Sequence, residues 1–254
     1  MNAVITILTD FGLSDSYVAE TKAALLAVAP DVTLVDITHA LQPGDTYAAQ
    51  YLIGRTWKRF PEGTVHLVVV DPGVGSGRLG LGVAARGHFF VAPDNGVLTP
   101  VLGHDATIVS LPVPEGAAAT FHGRDVFAPA AARLATGVPI ASLGTPVAEP
   151  VLTPDPRPRV DEVGGAVTGE VVYIDRFGTL VTNIPSERLS DGKSVALGGE
   201  NYEARIGRTF ADVEPGELVA YAGSDGAVEV AARDRSAAQM TGLTVGAEVR
   251  VSGE

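Results

Sequence analysis

Thr64-Val65-His66-Leu67-Val68-Val69-Val70 runs straight into Asp71-Pro72-Gly73-Val74-Gly75-Ser76-Gly77-Arg78. An unbroken apolar run of that length suits a parallel strand covered on both faces. It stops abruptly at an aspartate followed by three glycines. Upstream, Val4 to Thr9 is a shorter β-branched run that ends at Asp10. Ser14 and Asp15 are placed to cap a helix running to about Ala29, where Pro30 stops it. Val32 to Ile37 reads as a strand. Asp45 and Thr46 open a second helix ending near Phe60, with Tyr47, Tyr51, Leu52 and Ile53 expected on its buried side. Downstream, Leu81 to Ala85 and His88 to Ala92 form a hairpin pattern around Arg86-Gly87. Asn95-Gly96 turns into a short helix, Thr107 to Leu111 is a strand, and Asp125 to Ala135 is an alanine-rich helix. This β-α-β-α-β order predicts an α/β layered domain with a mainly parallel sheet.

The pattern then changes. Six prolines stand between Pro139 and Pro158. Proline breaks helices and central strands, so this stretch reads as a stiff linker or a chain crossing a surface. Beyond it, Ala166 to Ile174, Leu180 to Ile184, Tyr202 to Ile206, Leu218 to Tyr221, Val228 to Ala232 and Glu248 to Val251 are short strand-like runs separated by glycine turns. That spacing predicts a small all-β barrel or sandwich. The expected division is 1–159 for the α/β domain and 160–254 for the β domain.

Composition narrows the function. The 254 residues carry 18 basic and 30 acidic side chains, a net charge of −12. Phosphate-gripping proteins are basic, and an anionic membrane surface repels this chain, so neither nucleic acid nor membrane is an expected partner. No cysteine is present, which excludes disulfides, thiolate metal sites and a cysteine nucleophile. The opening Met1 to Ile5 goes directly into a strand, and no apolar run approaches the ~18 residues of a membrane span. The expectation is a soluble cytoplasmic protein.

Two predicted strands end in aspartate, and ligands in open α/β sheets bind at strand carboxyl ends. Taken singly, Asp10 and Asp71 are each turn residues as readily as site residues. A carboxylate at Asp10 suits the vicinal hydroxyls of a ribose. The Asp71 loop is neither a Walker loop nor a dinucleotide fingerprint; Asp71 and Arg78 form either an exposed pair on a glycine hairpin or a carboxylate and guanidinium held to orient a small polar species. Of five histidines, His66 reads as structural, and His88 and His104 as surface. His39 follows a strand and is a candidate site liner. His122, in Thr120-Phe-His-Gly-Arg-Asp-Val-Phe127, precedes a helix beside a glycine that lets a ligand approach. No zinc-binding histidine spacing and no G-x-S-x-G elbow occur. In the β half, Asp175, Phe177 and Asn183 surround a glycine turn, and Phe177 and Phe210 offer aromatic faces in loops.

Five segments in order resemble one family: Thr9-D-F-G-L-S-D-S-Y-Val18, Val70-D-P-G-V-G-S-G-Arg78, Ala92-P-D-N-G-V-L-Thr99, Thr120-F-H-G-R-D-V-F-A-P-A-Ala131 and Asp175-R-F-G-T-L-V-T-N-Ile184. They are similar to the S-adenosylmethionine hydroxide adenosyltransferases, hydrolases related to the adenosyl-fluoride and adenosyl-chloride synthases. The resemblance implies an α/β domain followed by a β-barrel, and a homotrimer with sites between neighbouring subunits. It implies cleavage of S-adenosylmethionine to adenosine and methionine, some members preferring the R-sulfonium epimer. It assigns catalysis to Asp71, Arg78 and His122. It places Asp10 at the ribose, Asp175 and Ser224 near the methionine amine and carboxylate, and Phe177 and Phe210 near adenine. Phe121, Thr179 and Glu229 complete the implied substrate-binding set. Neither metal nor cofactor is implied.

The chemistry is consistent with those residues. Water attacks the ribose 5′ carbon in line with a sulfonium, whose departure as a neutral thioether needs no acid. A positioned, desolvated water is what the protein must supply. The family's halide users have a tyrosine where Asp71 stands; a carboxylate repels a halide in a dry site. The fluoride users have a serine at Gly123, whereas the chlorinating relatives share the glycine. Thr179 replaces a common asparagine, Gly44 stands where the halogenases have a tryptophan, and the Asp225 to Ala227 segment is unusual. An S-adenosylmethionine or adenosine binder without turnover is the alternative from outside the enzyme class.

Overall fold

The structure is a computed structural model that describes residues 3–153, 159–160, 165–190 and 193–252. The chain falls into two compact units, Met1–Pro154 and Asp155–Glu254.

The first unit contains, in chain order, β1 (Val4–Thr9), α1 (Tyr17–Val28), β2 (Thr33–Thr38), α2 (Thr46–Thr56), β3 (Val65–Val69), β4 (Gly80–Ala85), β5 (His88–Pro93), β6 (Thr107–Leu111), α3 (Ala128–Ala135) and β7 (Thr145–Pro146). Among the described residues the seven strands make one sheet in the order β2-β1-β3-β5-β4-β6-β7. The pairs from β2 to β5 are parallel and those from β5 to β7 antiparallel. Every residue of β3 is buried, as its continuous apolar run requires. Two cores flank the sheet. One gathers Ile5, Leu67, Val69, Phe127 and the alanines of α3. The other gathers Leu8, Ile53, Val68, Phe90 and Val101. The β4–β5 hairpin turns on Arg86 (φ 53°) and Gly87 (φ 77°), the doubly left-handed turn that matches strand twist.

Several local expectations need correction. Helix α1 begins at Tyr17, and neither Ser14 nor Asp15 caps it. Its cap position is Ser16, whose hydroxyl donates instead to Glu20 at 2.6 Å. Asp45 does cap α2, accepting from Ala48 N at 2.9 Å. The buried stripe of α2 is Ala48, Ala49 and Ile53; Tyr47 is exposed, while Tyr51 and Leu52 are half-buried. The predicted helix over Asp125–Ala135 is α-helical only from Ala128, because a π-helical turn occupies Gly123–Phe127. Residues 139–153 cross the surface of the first unit. They supply strand β7, and Val147, Val151 and Thr153 bond to Ile108, Asp94 and Thr99. Pro154, Pro156 and Pro158 lie outside the described residues.

His88 is buried, not at the surface. It packs edge-on against Trp57 at 5.2 Å, with its Nδ1 3.3 Å from His66 Nε2. His66, fully buried, stacks on Phe90 at 4.9 Å and bonds the Thr6 hydroxyl at 2.8 Å. Burial, reinforced by His88, pushes the His66 imidazole down to about 3. A base depressed in the folded state takes up protons first in the unfolded chain, so its share of stability is intact above about 6.5 and is lost as pH falls toward 3. Between pH 7 and 4.5 this site should remove roughly 2–3 kcal/mol. Urea unfolding across that range should give a steeper loss for the wild type than for His66→Phe; equal slopes would refute the assignment.

The second unit holds β8 (Arg159–Val160), β9 (Val167–Ile174), β10 (Leu180–Pro185), β11 (Val195–Leu197), β12 (Tyr202–Ile206), β13 (Leu218–Ala222), β14 (Ala227–Ala232), the short helix α4 (Ala237–Thr241) and β15 (Glu248–Val251). The order is β10-β14-β13-β12-β11-β15-β9, and β9 pairs back onto β10. Seven strands therefore close into a barrel, with β8 added outside the ring. Closure leaves no unpaired edge within the ring. Inward residues such as Val171, Leu180, Ile184, Leu197, Val230 and Val249 fill it. Of the ring strands, β11 is the one the glycine-turn pattern did not reveal; at three residues it carries too short a pattern to read. Among the described residues no helix is long and apolar enough to cross a membrane.

Candidate active site

The connectivity fixes where a ligand can enter the first unit. From β1 the chain passes through α1 to β2 on one side, then through α2 to β3 on the other. The order of the sheet reverses at the β1/β3 pair, and the crevice beyond such a pair is the binding position of open α/β sheets. Thr9 is in register with Val69. Asp10 and Asp71 thus follow two neighbouring strand ends. A pocket of about 320 Å³ opens there, lined by Asp10, Phe11, Gly44, Asp71, Phe121 and His122 among others.

Local turns bring the side chains in. Asn95, from the Ala92–Thr99 segment, donates to Val70 O at 2.9 Å and pins the end of the strand. Past Asp71 the loop folds back through bonds from Val74 N to Asp71 O and from Ser76 N to Gly73 O. Gly75, at φ 78°, approaches so near Ala119 that a Cβ would sit 2.7 Å from its carbonyl oxygen. The loop can therefore close on the segment that carries His122. Arg78 returns to Asp71 and grips it at both oxygens, its Nε donating to Oδ1 at 2.9 Å and its Nη2 to Oδ2. The Asp71 side chain is 6% exposed and that of Arg78 10%, so this is a desolvated, forked ion pair rather than a surface one. Arg78 also lies 5.1 Å above the Phe127 ring.

His122 completes the cluster. Arg78 Nη2 lies 3.1 Å from His122 Nδ1. A guanidinium has no acceptor, so Nδ1 accepts, and a neutral ring then carries its proton on Nε2. The histidine backbone is tied down around it. Asp125 accepts from Ala118 N at 2.8 Å and from Arg124 at 2.6 Å, and Arg124 reaches Glu20 of α1 at 2.8 Å. The Arg124 hydrogen bonds hold the Asp125 carboxyl below the usual range against partial burial. Phe121 packs edge-on against Phe11 at 5.8 Å. Asp10 accepts from Gly44 N at 2.7 Å.

In the second unit the β9–β10 turn is built on Asp175, whose Oδ1 accepts from Phe177 N at 2.9 Å and Thr179 N at 2.8 Å. Phe177 at the tip is 79% exposed. Tyr221 donates to Glu229 at 3.0 Å. Burial, the Glu229 charge and that hydrogen bond raise the phenol well above its ordinary range, while Thr179 beside it pulls the other way. Phe210 meets the Tyr221 ring edge-on at 5.3 Å. Ser224 is exposed in the β13–β14 turn.

Of the residues singled out in the sequence, Asp10, Asp71, Phe121 and His122 therefore share one pocket, with Arg78 bound to Asp71 and His122. Asp175, Thr179, Glu229 and Phe210 gather near Tyr221. Three participants were not singled out. Phe11 had a signal, lying between Asp10 and Gly12. Phe127 and Tyr221 had none beyond being aromatic. His39, a candidate liner, is buried behind the pocket wall, bonded to Thr9 at 2.8 Å.

A mixed α/β unit with a buried Asp–Arg–His cluster at its switch point, joined to a closed β-barrel, defines an enzyme of two-unit architecture. The chain belongs to the SAM hydroxide adenosyltransferase family: residues 5–144 match its N-terminal domain and residues 169–250 its C-terminal domain. It is 43% identical to the (R)-S-adenosyl-L-methionine hydrolase of Thermus thermophilus, over 96% of this chain and 97% of that one. It is 38% identical to the protein of the same name from Salinispora tropica, over 98% and 97%. Identity to a fluorinase of Nocardia brasiliensis is 32%, over 98% and 96%. A crystal structure of an uncharacterized conserved protein from Thermotoga maritima matches with a TM-score of 0.89 at 34% identity, covering 98% of this chain and 99% of that one.

Proposed function

We propose that this protein hydrolyses S-adenosyl-L-methionine, the R-sulfonium epimer included, to adenosine and L-methionine. The observation that carries the reading is the desolvated cluster in which Arg78 grips Asp71 and fixes the His122 tautomer beside the switch-point pocket. His122 Nε2–H donates to the oxygen of a water, and Asp71 accepts its hydrogen. The water oxygen attacks the 5′ carbon. The C5′–S bond breaks with its electron pair going to sulfur, and the water's proton passes to Asp71 and then to solvent. Arg78 binds no substrate in this scheme; it holds the two groups that meet the water. Asp10 takes the ribose hydroxyls, and Phe121 lines the pocket wall. From the barrel unit, Phe177 and Phe210 face adenine, Asp175 and Ser224 take the methionine amine and carboxylate, and Thr179 and Glu229 complete the substrate set.

We place the domain boundary between residues 159 and 160, giving 1–159 and 160–254, five residues beyond the Pro154 end of the first compact unit. The complete enzyme is a cytoplasmic homotrimer with sites formed between subunits, as the family resemblance implies; light scattering should give about three times the 26.1 kDa chain mass. A catalytic metal or cofactor has no task in this scheme, because the leaving thioether is neutral.

One feature speaks against any halide and a second against fluoride alone. A desolvated carboxylate at Asp71 repels a halide. A Cβ at Gly123 would press Phe11 at 3.0 Å, so the serine of the fluoride users would fit only with movement of that ring. The deciding experiment supplies each sulfonium epimer separately, with and without chloride, and separates the products. Adenosine and methionine are expected in both salts. 5′-Chloroadenosine would establish halogenation, and tight binding without turnover would establish a sensor.

A further inference from the structure

We infer that the Asp36–His39–Thr9 chain, exposed at Asp36 and buried from His39 inward, is the positioning device for Asp10, so that Thr9 and His39 set affinity for the ribose diol without touching substrate. The inference rests on the reading of Asp10 as the ribose carboxylate.

The contacts run inward from Asp36, whose link to His39 is a close charge contact rather than a hydrogen bond, since His39 Nε2 makes no hydrogen bond among the described residues. Asp36 Oδ2 accepts from Lys22 Nζ at 2.6 Å, and its Oδ1 lies 3.1 Å from His39 Nε2. His39 Nδ1 meets the Thr9 hydroxyl at 2.8 Å. Thr9 Oγ1 accepts from Phe11 N at 3.2 Å, a bond that spans Asp10. Gly12 N then donates to His39 O at 2.7 Å. Residue 39 therefore holds the Thr9–Gly12 loop at two points, one on either side of Asp10. Thr9 is fully buried and His39 4% exposed, so neither can reach a ligand in the pocket. Both sit behind its wall.

The arrangement also decides which way the protons point. The Asp36 carboxylate charge 3.1 Å from Nε2 favours the tautomer of a neutral His39 with its proton there, which leaves Nδ1 to accept from the Thr9 hydroxyl. That aims the Thr9 lone pairs at Phe11 N–H. Asp10 Oδ2 is already committed to Gly44 N. Among the described residues its Oδ1 has no partner, so one oxygen is left to a ligand. Taking both hydroxyls of a diol on the two lone pairs of that one oxygen requires the carboxylate plane to be fixed, and a side chain acting through its supporting shell does this.

The test uses binding, so it does not depend on turnover. Calorimetry would compare adenosine with 2′,3′-dideoxyadenosine on the wild type, Thr9→Val and Thr9→Ser. Val matches threonine in shape but has no hydroxyl, whereas Ser keeps it. Adenosine affinity should fall about tenfold in Thr9→Val, the scale of one hydrogen bond to a charged group. It should recover in Thr9→Ser, and dideoxyadenosine should bind all three proteins alike. Should Thr9→Val fail to fold, His39→Asn against His39→Leu provides the same contrast, because Asn retains an acceptor near the Nδ1 position. A wild type that prefers adenosine while the hydroxyl-free variant keeps full affinity would overturn the positioning role alone. So would equal losses for both ligands. A wild type that binds the two ligands equally would overturn Asp10 as the ribose carboxylate, and the inference with it.

Discussion

Asp71→Asn should lower kcat for adenosine release by roughly 10²–10⁴-fold, the usual contribution of a positioned general base, while KM changes by less than about threefold. The asparagine keeps the volume and one acceptor oxygen for Arg78, so the cluster stays packed. What it loses is the second carboxylate oxygen and the charge that draws the water's proton. Arg78 and His122 remain bonded to each other at 3.1 Å, so ligand affinity is an internal control on folding. Single-turnover assays with each epimer provide the measurement. Wild-type turnover in Asp71→Asn would remove Asp71 from the mechanism.

Phe127→Ala should cost about 3–5 kcal/mol of stability, the range for a fully buried phenylalanine cut to alanine. Phe127 is 0% exposed and lies in the same core as Val69 and the α3 alanines. Its ring is also the surface on which Arg78 rests. Separating the two roles calls for Phe127→Leu, which keeps most of the volume at a cost of about 1–1.5 kcal/mol. That variant should remain folded yet lose several-fold in kcat, because a guanidinium over an aromatic face is held more firmly than one over a methyl group. Urea midpoints and turnover measured on both variants check this. A Phe127→Leu enzyme as fast as the wild type would reduce Phe127 to a core residue.

The sheet was readable because its strands announce themselves. Val65–Val69 is five buried residues in a row, and Arg86-Gly87 is a turn with a single favoured geometry. The six barrel runs of four or more residues were legible for the same reason. The departures share a cause: they depend on partners distant in sequence. Tyr47 has the composition of a buried residue, but α2 turns its alanines inward instead. His88 looked like a turn residue, yet Trp57 and His66 enclose it. The site divides likewise. Asp10 and Asp71 could be named from the ends of their strands. That Arg78 joins Asp71 to His122, 44 positions further on, depends on loop closure around Gly75, which no spacing encodes. Ser14 and Asp15 were credible caps, and the helix declined both because its first turn uses Ser16 and Glu20.

The π-helical turn at Gly123–Phe127 makes this site sensitive to chain length as well as to composition. Its closing bond runs from Ala128 N back to Gly123 O, five residues rather than four. One residue beyond the α-helical count is thus wound in between His122 and α3. Each helical residue turns the chain by about 100°. Excising any one of the five would let the segment relax to an ordinary α-turn and rotate His122 by that angle, away from Arg78. The angular phase of the helix, together with the Asp125 and Arg124 bonds within the turn, aims the imidazole at its partner. A sequence in this family that lacked that one residue would have to find its histidine from another direction.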